Sequence, residues 1–165
     1  MHLRPALVDD AGAIAAIYNH YILATTISFE EVAVDAAEIA QRMTSVHAAN
    51  LPYLVAEEDG IVTGYAYATP WRVRPAYRSS VETSVYVRDG QHARGLGTAL
   101  YRALLSRLTD GGYHLAIGGI AQPNPASVAL HEKLGFEKVA HFREVGNKFN
   151  QWVNVGYWQR ILGNK

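Results

Sequence analysis

This chain has no cysteine, only two methionines and six prolines, and no excess charge of either sign. Without cysteine there are no disulfides, no thiolate metal sites and no cysteine nucleophile. Lys+Arg and Asp+Glu number 15 each, for a formal net charge of +0. A nucleic-acid binder usually carries a basic excess, so that class of partner is not expected. No apolar run reaches the ~20 residues that a membrane-spanning helix needs. Met1-His2-Leu3-Arg4 lacks the apolar core of a signal peptide. The seven histidines are scattered without HxH or HExxH spacing, so no metal site is expected. What remains is an ordinary globular composition, 49% hydrophobic and 18% charged, which argues against disorder and against a coiled coil. At 165 residues the expectation is one domain spanning 1–165, soluble and cytoplasmic.

The most telling stretch that is present is Gln91-His92-Ala93-Arg94-Gly95-Leu96-Gly97-Thr98, because of its flanks. Before it, Val81–Arg88 (VETSVYVR) reads as a strand, with Val81, Thr83, Val85 and Val87 alternating onto one face. After it, Leu100, Leu104, Leu105 and Leu108 recur at helical spacing, giving a helix over Thr98–Thr109. A strand, a glycine turn and a helix N-terminus together form an anion site: first-turn N–H groups lack intrahelical partners, and the helix dipole adds positive charge. Gly95 and Gly97 let a phosphate approach the backbone closely. The loop is not a Walker A, because no Lys follows Gly97. It is not a Rossmann fingerprint either, since it lacks a third glycine and the next strand ends in Ala121-Gln122 with no acid. The expected ligand is phosphorylated but is neither a P-loop nucleotide nor NAD.

Elsewhere His2–Val8 predicts a strand, and Asp9 or Asp10 can cap a helix carrying Ile14, Ile17, Tyr18, Tyr21 and Ile22. Thr25–Val34 is irregular, and Asp35 caps a second helix reaching His47. Tyr53–Glu57 and Ile61–Thr69 read as a hairpin across Glu58-Asp59-Gly60. An Arg- and Pro-rich loop, Pro70–Ser80, leads into VETSVYVR. After a strand at His114–Ala121, Asn124-Pro125 opens a short helix that Gly135 closes. Phe136–Val145 and Trp152–Leu162 predict two last strands. This order implies an α/β (mixed α+β) fold with helices on both faces of a mixed sheet.

The segments IYNHYI, VETSVYV, GLGTALY, NPASVALHEKLGF and VGNKFNQWVNVGYWQ, with the Trp71 loop, resemble the GNAT-superfamily N-acetyltransferases over nearly the whole chain. Among these the chain is similar to the phosphinothricin and methionine sulfoximine/sulfone acetyltransferases. The glycine turn follows the family pattern Q/R-x-x-G-x-G/A except that His92 takes the Gln/Arg place. The resemblance implies a mostly antiparallel mixed sheet that splays between two parallel strands, and acetyl-CoA as co-substrate with no metal. It implies CoA pyrophosphate on the amides of Ala93, Arg94, Gly95, Leu96, Gly97 and Thr98. It also implies pantetheine along Val85, Tyr86 and Val87, and Asn124 near the thiol end. A homodimer is the family expectation.

Acetyl transfer to an amine needs a base, because the amine arrives as ammonium. Glu82 is the candidate; it shares a strand face with Ser84 and Tyr86, and the family places a Glu there. Without the family match it would read as an exposed strand carboxylate. His131 stands where many relatives carry a tyrosine that protonates the leaving thiolate, and a histidine can do this work. The competing reading is a packed helix histidine between Val128 and Leu134. A backbone N–H near Val85 would suffice for the developing oxyanion. Trp71, Arg72, Val73, Arg74 and Arg78, with Thr83 and Ser84, are the candidate substrate contacts, because Arg binds carboxylate, phosphinate and sulfone oxygens through paired donors. Sulfoximine-type sequences tend to carry an aromatic where Arg74 stands. The expected acceptor is a small amino acid or analogue. A protein N-terminus, peptide or polyamine is the alternative, though the Arg-rich loop opposes a polyamine. A non-catalytic acyl-CoA sensor is the alternative outside enzymes.

Overall fold

The computed structural model describes residues 1–163. Seven strands form one sheet in the order β1-β2-β3-β4-β5-β7-β6. They are β1 (His2–Pro5), β2 (Tyr53–Glu58), β3 (Ile61–Pro70), β4 (Ser80–Val87), β5 (Leu115–Gln122), β6 (Glu137–Lys148) and β7 (Gln151–Ile161). The helices are α1 (Ala11–Ala24), α2 (Ala36–Ala48), α3 (Leu96–Asp110) and α4 (Pro125–Lys133). All neighbouring strands are antiparallel except β4 and β5.

That parallel pair is short. It runs from Ser80↔Leu115 to Glu82↔Ile117 and goes no further. Beyond Glu82 the strands diverge, so the second half of β4 pairs only with β3. The expected splayed mixed sheet is present.

Strand parity sorts the two faces. Thr83 meets Tyr101 of α3, and Leu100 packs over Gly64 on that same side. Tyr86, of opposite parity, packs on Tyr18 and Tyr21 of α1, with ring centroids 5.2 and 5.1 Å apart. Helices therefore cover both faces, as expected. The periodic residues bury as their spacing demands: Leu100, Leu104 and Leu108 on α3, and Ile14 and Ile22 on α1, are each 0% exposed.

Local expectations hold with four differences, the first being that β1 ends at Pro5 and not at Val8, because Val8–Asp10 coil into a 3-10 turn ahead of α1. Asp35 caps α2 through Glu38 N–H at 2.8 Å, and Asn124 caps α4 through Ser127 N–H at 3.2 Å. Asp10 precedes α1, but its carboxylate is held by the Arg4 guanidinium at 2.8 and 2.9 Å and by Leu7 N–H, so it caps none of the helix amides. Helix α3 begins at Leu96, two residues before the expected start, because left-handed Gly95 (φ 77°) turns the chain directly into it. Strand β6 continues to Lys148, and β6 and β7 join through a two-residue turn in which Phe149 and Asn150 are both left-handed (φ 53° and 58°). Neither is glycine, so the usual hairpin signal is missing from the sequence.

Candidate active site

The divergence of β4 and β5 opens a cleft bordered by the second half of β4, the end of β5 and the start of α4. A cavity of about 60 Å³ lies in it, lined among others by Ser84, Val85, Tyr86, Gly119, Asn124 and Ile27 of the α1–α2 connection. Val85, Tyr86 and Val87 thus stand along an open strand edge. The glycine turn lies where β4 hands over to α3. Ala99 N–H makes the first helical bond, to Gly95 O at 3.0 Å, so the first-turn amides of Leu96, Gly97 and Thr98 precede the ladder and point out of the N-terminus. Ala93 is left-handed (φ 63°), and Arg94 is tied to Glu58 at 3.2 Å and to Gln91, which shapes the turn from the side.

Glu82 sits where the parallel pairing ends, between Thr69 on β3 and Ile117 on β5. Burial raises its carboxyl pKa, and the positive charge of Arg72 pulls it partly back. A carboxylate shifted this way is better matched to taking a proton near neutral pH. Arg72 stacks on Trp71 at 4.9 Å, and Trp71 meets Tyr157 of β7 edge-on at 5.8 Å. Gly119 lets the Tyr157 ring lie against β5, since a Cβ there would come within 3.1 Å of it.

The other candidate substrate residues divide. Ser84 is on the Glu82 face. Arg74, Val73 and Arg78 line a cavity of about 370 Å³ with Leu51, Val81 and Tyr113 near the start of β4; Arg72 borders it as well. Val73 is almost wholly exposed. Thr83 is buried and turned to the α3 face, where its hydroxyl meets Tyr101 Oη at 2.5 Å and the Ile117 carbonyl at 3.3 Å. A further cavity of about 240 Å³, walled by Tyr18, Tyr53, Tyr65 and Tyr67, includes Thr69, the register partner of Glu82.

His131 joins Thr83 in a buried chain. Tyr101 Oη lies 3.0 Å from His131 Nε2, and His131 Nδ1 lies 2.7 Å from Ser127 O. A carbonyl can only accept, so Nδ1 carries the proton and Nε2 accepts from Tyr101. Burial lowers the His131 pKa, which keeps the ring neutral at neutral pH. Its one proton is therefore committed to Ser127 O, while the ring itself lines the cleft cavity with Ser127 and Asn124, and Tyr101 backs it from α3. Gly118 makes this packing possible, because any Cβ there would lie 2.5 Å from Nε2. Tyr101 and Tyr157 were not picked out from sequence. One reads as a core position of α3 and the other as an ordinary strand aromatic; only the fold places Tyr101 against His131 and Tyr157 against Trp71.

Among the described residues, no group of three or more His, Cys, Asp or Glu is placed to hold a metal, and no helix is long and apolar enough to cross a membrane.

A strand edge opened beside a helix N-terminus, with a desolvated carboxylate at the fork, is suited to group transfer from an extended phosphorylated carrier. Comparisons with known proteins agree. The family described as acetyltransferase (GNAT) domain matches residues 3–155. A phosphinothricin N-acetyltransferase from Alcaligenes faecalis is 42% identical, covering 93% of this chain and 79% of its own length. The L-methionine sulfoximine/L-methionine sulfone acetyltransferase of Salmonella typhimurium is 39% identical, covering 98% and 95%. A solved acetyltransferase structure from Salmonella typhimurium with its cofactor acetyl-CoA superposes with a TM-score of 0.97 at 36% identity, covering 100% of this chain and 95% of that one. The protein is an acetyl-CoA-dependent N-acetyltransferase. The chain belongs to the GNAT family.

Proposed function

We propose that this enzyme acetylates the α-amine of a small amino acid or analogue of the phosphinothricin and methionine sulfoximine/sulfone type. The observation that carries this reading is the desolvated Glu82 at the fork of β4 and β5, with the Arg72 guanidinium acting on it and Trp71 and Tyr157 beside it. The names of the relatives support the acceptor class. Acetyl-CoA supplies an activated thioester. The amides of Ala93–Thr98 bind its pyrophosphate at the α3 N-terminus. The edge of Val85–Val87 pairs with the pantetheine amides, and Asn124 stands at the thiol end. Glu82 takes the ammonium proton, directly or through a water. Arg72 pairs with the acceptor's oxygens, and the tyrosine-walled cavity beyond Thr69 takes its side chain. His131 lines the same cavity as Asn124, with its ring held by Tyr101 and Ser127, and a thiolate leaving group needs little further help.

Arg72→Ala should raise KM for the free amino acid about one to two orders of magnitude, the loss of one charged hydrogen-bonded pair. CoA affinity should be unaffected. Methyl-esterifying the acceptor's carboxylate should then matter far less in whichever Arg variant had held that carboxylate. Equal rates with esters and free acids in the unmodified enzyme would refute carboxylate recognition and return the peptide or polyamine reading.

We also infer a homodimer. The β6–β7 hairpin exposes Phe142 and Val145 on the edge strand β6, Phe149 in its turn and Trp152 at the start of β7, an apolar concentration that monomers usually cover. Light scattering should give twice the chain's 18.1 kDa; a single-chain mass at working concentration would refute it.

A further inference from the structure

Lys148 is among the least exposed side chains of the protein, at 1%, although a lysine is almost never fully buried without a partner. Its ammonium has three protons and three short acceptors: Ile22 O at 2.6 Å, Thr25 O at 2.7 Å and Ser28 O at 2.6 Å. These are carbonyls rather than carboxylates; Glu30 and Glu31 act only from further away. Ile22 belongs to the last turn of α1, where carbonyls lack intrahelical partners and the helix dipole is negative, so a cation is favoured there. Thr25 and Ser28 belong to the connection that follows. One side chain from the end of β6 therefore joins α1 to an irregular segment more than a hundred residues earlier in sequence.

That segment borders the cleft. Ile27, between two of the three carbonyls, lines the cavity formed by Val85, Tyr86, Gly119 and Asn124. The connection is also pinned beyond Ile27. Ser28 Oγ bonds Tyr18 Oη at 2.9 Å, Glu30 takes both arms of Arg42 at 2.7 and 2.8 Å, and the Phe29 ring packs against Gly146, where any Cβ would clash with it. Ile27 is itself 41% exposed, so its own packing does not fix it; its neighbours do.

We propose that Lys148 is a positioning residue that holds the α1–α2 connection as one wall of the acyl cavity, and that through Ile27 it limits the length of the acyl group transferred. This rests on the reading that acetyl-CoA lies in the cleft between β4 and β5. Ile27 and Asn124, which stands at the thiol end in that reading, line the same small cavity. One extra methylene against a fixed wall is discriminated by about 10–200-fold. If the carbonyls lose their shared donor, the wall is no longer fixed and that discrimination falls.

The test is the ratio of kcat/KM for propionyl-CoA to that for acetyl-CoA, with one amine acceptor. A ratio taken on one preparation does not depend on how much of it is folded. Ile27→Ala, at a partly exposed position, opens the wall directly and should raise the ratio about tenfold. Lys148→Met, which keeps length and apolar bulk but donates no hydrogen bond, should raise it in the same direction. A raised ratio for Ile27→Ala but not for Lys148→Met overturns the role of Lys148. An unchanged ratio in both overturns the wall itself. Calorimetry of CoA binding to Gly95→Val tests the cleft reading alone, so its failure is separable from this one.

Discussion

Glu82→Gln should lower turnover by about 10²–10⁴-fold, the usual worth of general-base help, while CoA affinity stays the same. The substitution is nearly isosteric, and residue 82 keeps its backbone pairing to Thr69 and Ile117. The pH profile carries more information than the rate alone. Burial raises the Glu82 pKa and Arg72 lowers it less, so the carboxyl protonates above the ordinary carboxylate range. The base form is present above that raised pKa and is lost as pH falls through it. The acid limb of kcat/KM should therefore lie higher than a solvent-exposed Glu would place it. Removing Arg72 removes the opposing charge, so in Arg72→Ala the limb should move higher still. In Glu82→Gln the limb assigned to this group should vanish. Near-normal turnover by Glu82→Gln between pH 6 and 9, roughly the range where such a base matters, would mean that the proton leaves by another route.

Gly95→Val should weaken CoA binding by more than tenfold, for two reasons that add. Gly95 is left-handed at φ 77°, a conformation that costs a residue with a Cβ about 1–2 kcal/mol and a β-branched one more. The space around its missing Cβ is empty of protein atoms, with nothing within 4 Å. In the proposed placement, that space is where the pyrophosphate passes. Gly95→Ala separates the contributions: it keeps most of the backbone strain and adds only a methyl. Calorimetry of CoA binding, with circular dichroism to establish folding, reads both variants. Unchanged affinity in a folded Gly95→Val protein would place the pyrophosphate elsewhere.

The fold was legible where periodicity and turn chemistry were strong. Leu100, Leu104, Leu105 and Leu108 announced α3, and Asp59-Gly60, both left-handed, announced the β2–β3 turn. It was less legible at Phe149-Asn150, where Asn suits the left-handed backbone but Phe149 does not and no glycine marks the turn. The capping role of Asp10 was misread because Arg4, a competitor for its carboxylate, comes from another element. In the candidate site, the glycine turn spoke for itself. Glu82 needed the family resemblance, because an isolated strand carboxylate carries no signal of burial. Lys148 lies within the VGNKFNQWVNVGYWQ segment, but nothing there shows its burial: it is a lysine near a hairpin tip, and its acceptors are carbonyls 120 to 126 positions away. Interactions with backbone atoms leave no trace in side-chain identity at the accepting end.

The early end of the β4–β5 pairing gives this protein a sheet edge in its interior. Outer edges invite the strands of other proteins, and natural folds spend charge, proline or bulges to discourage them. This edge needs no such guard. Because β4 and β5 stay paired from Ser80 to Glu82, whatever pairs with it must stop at that fork and cannot run on through the sheet. A slender linear molecule with amide groups can enter. The closed end of the fork thus sets where the visitor stops, before any side chain recognises it.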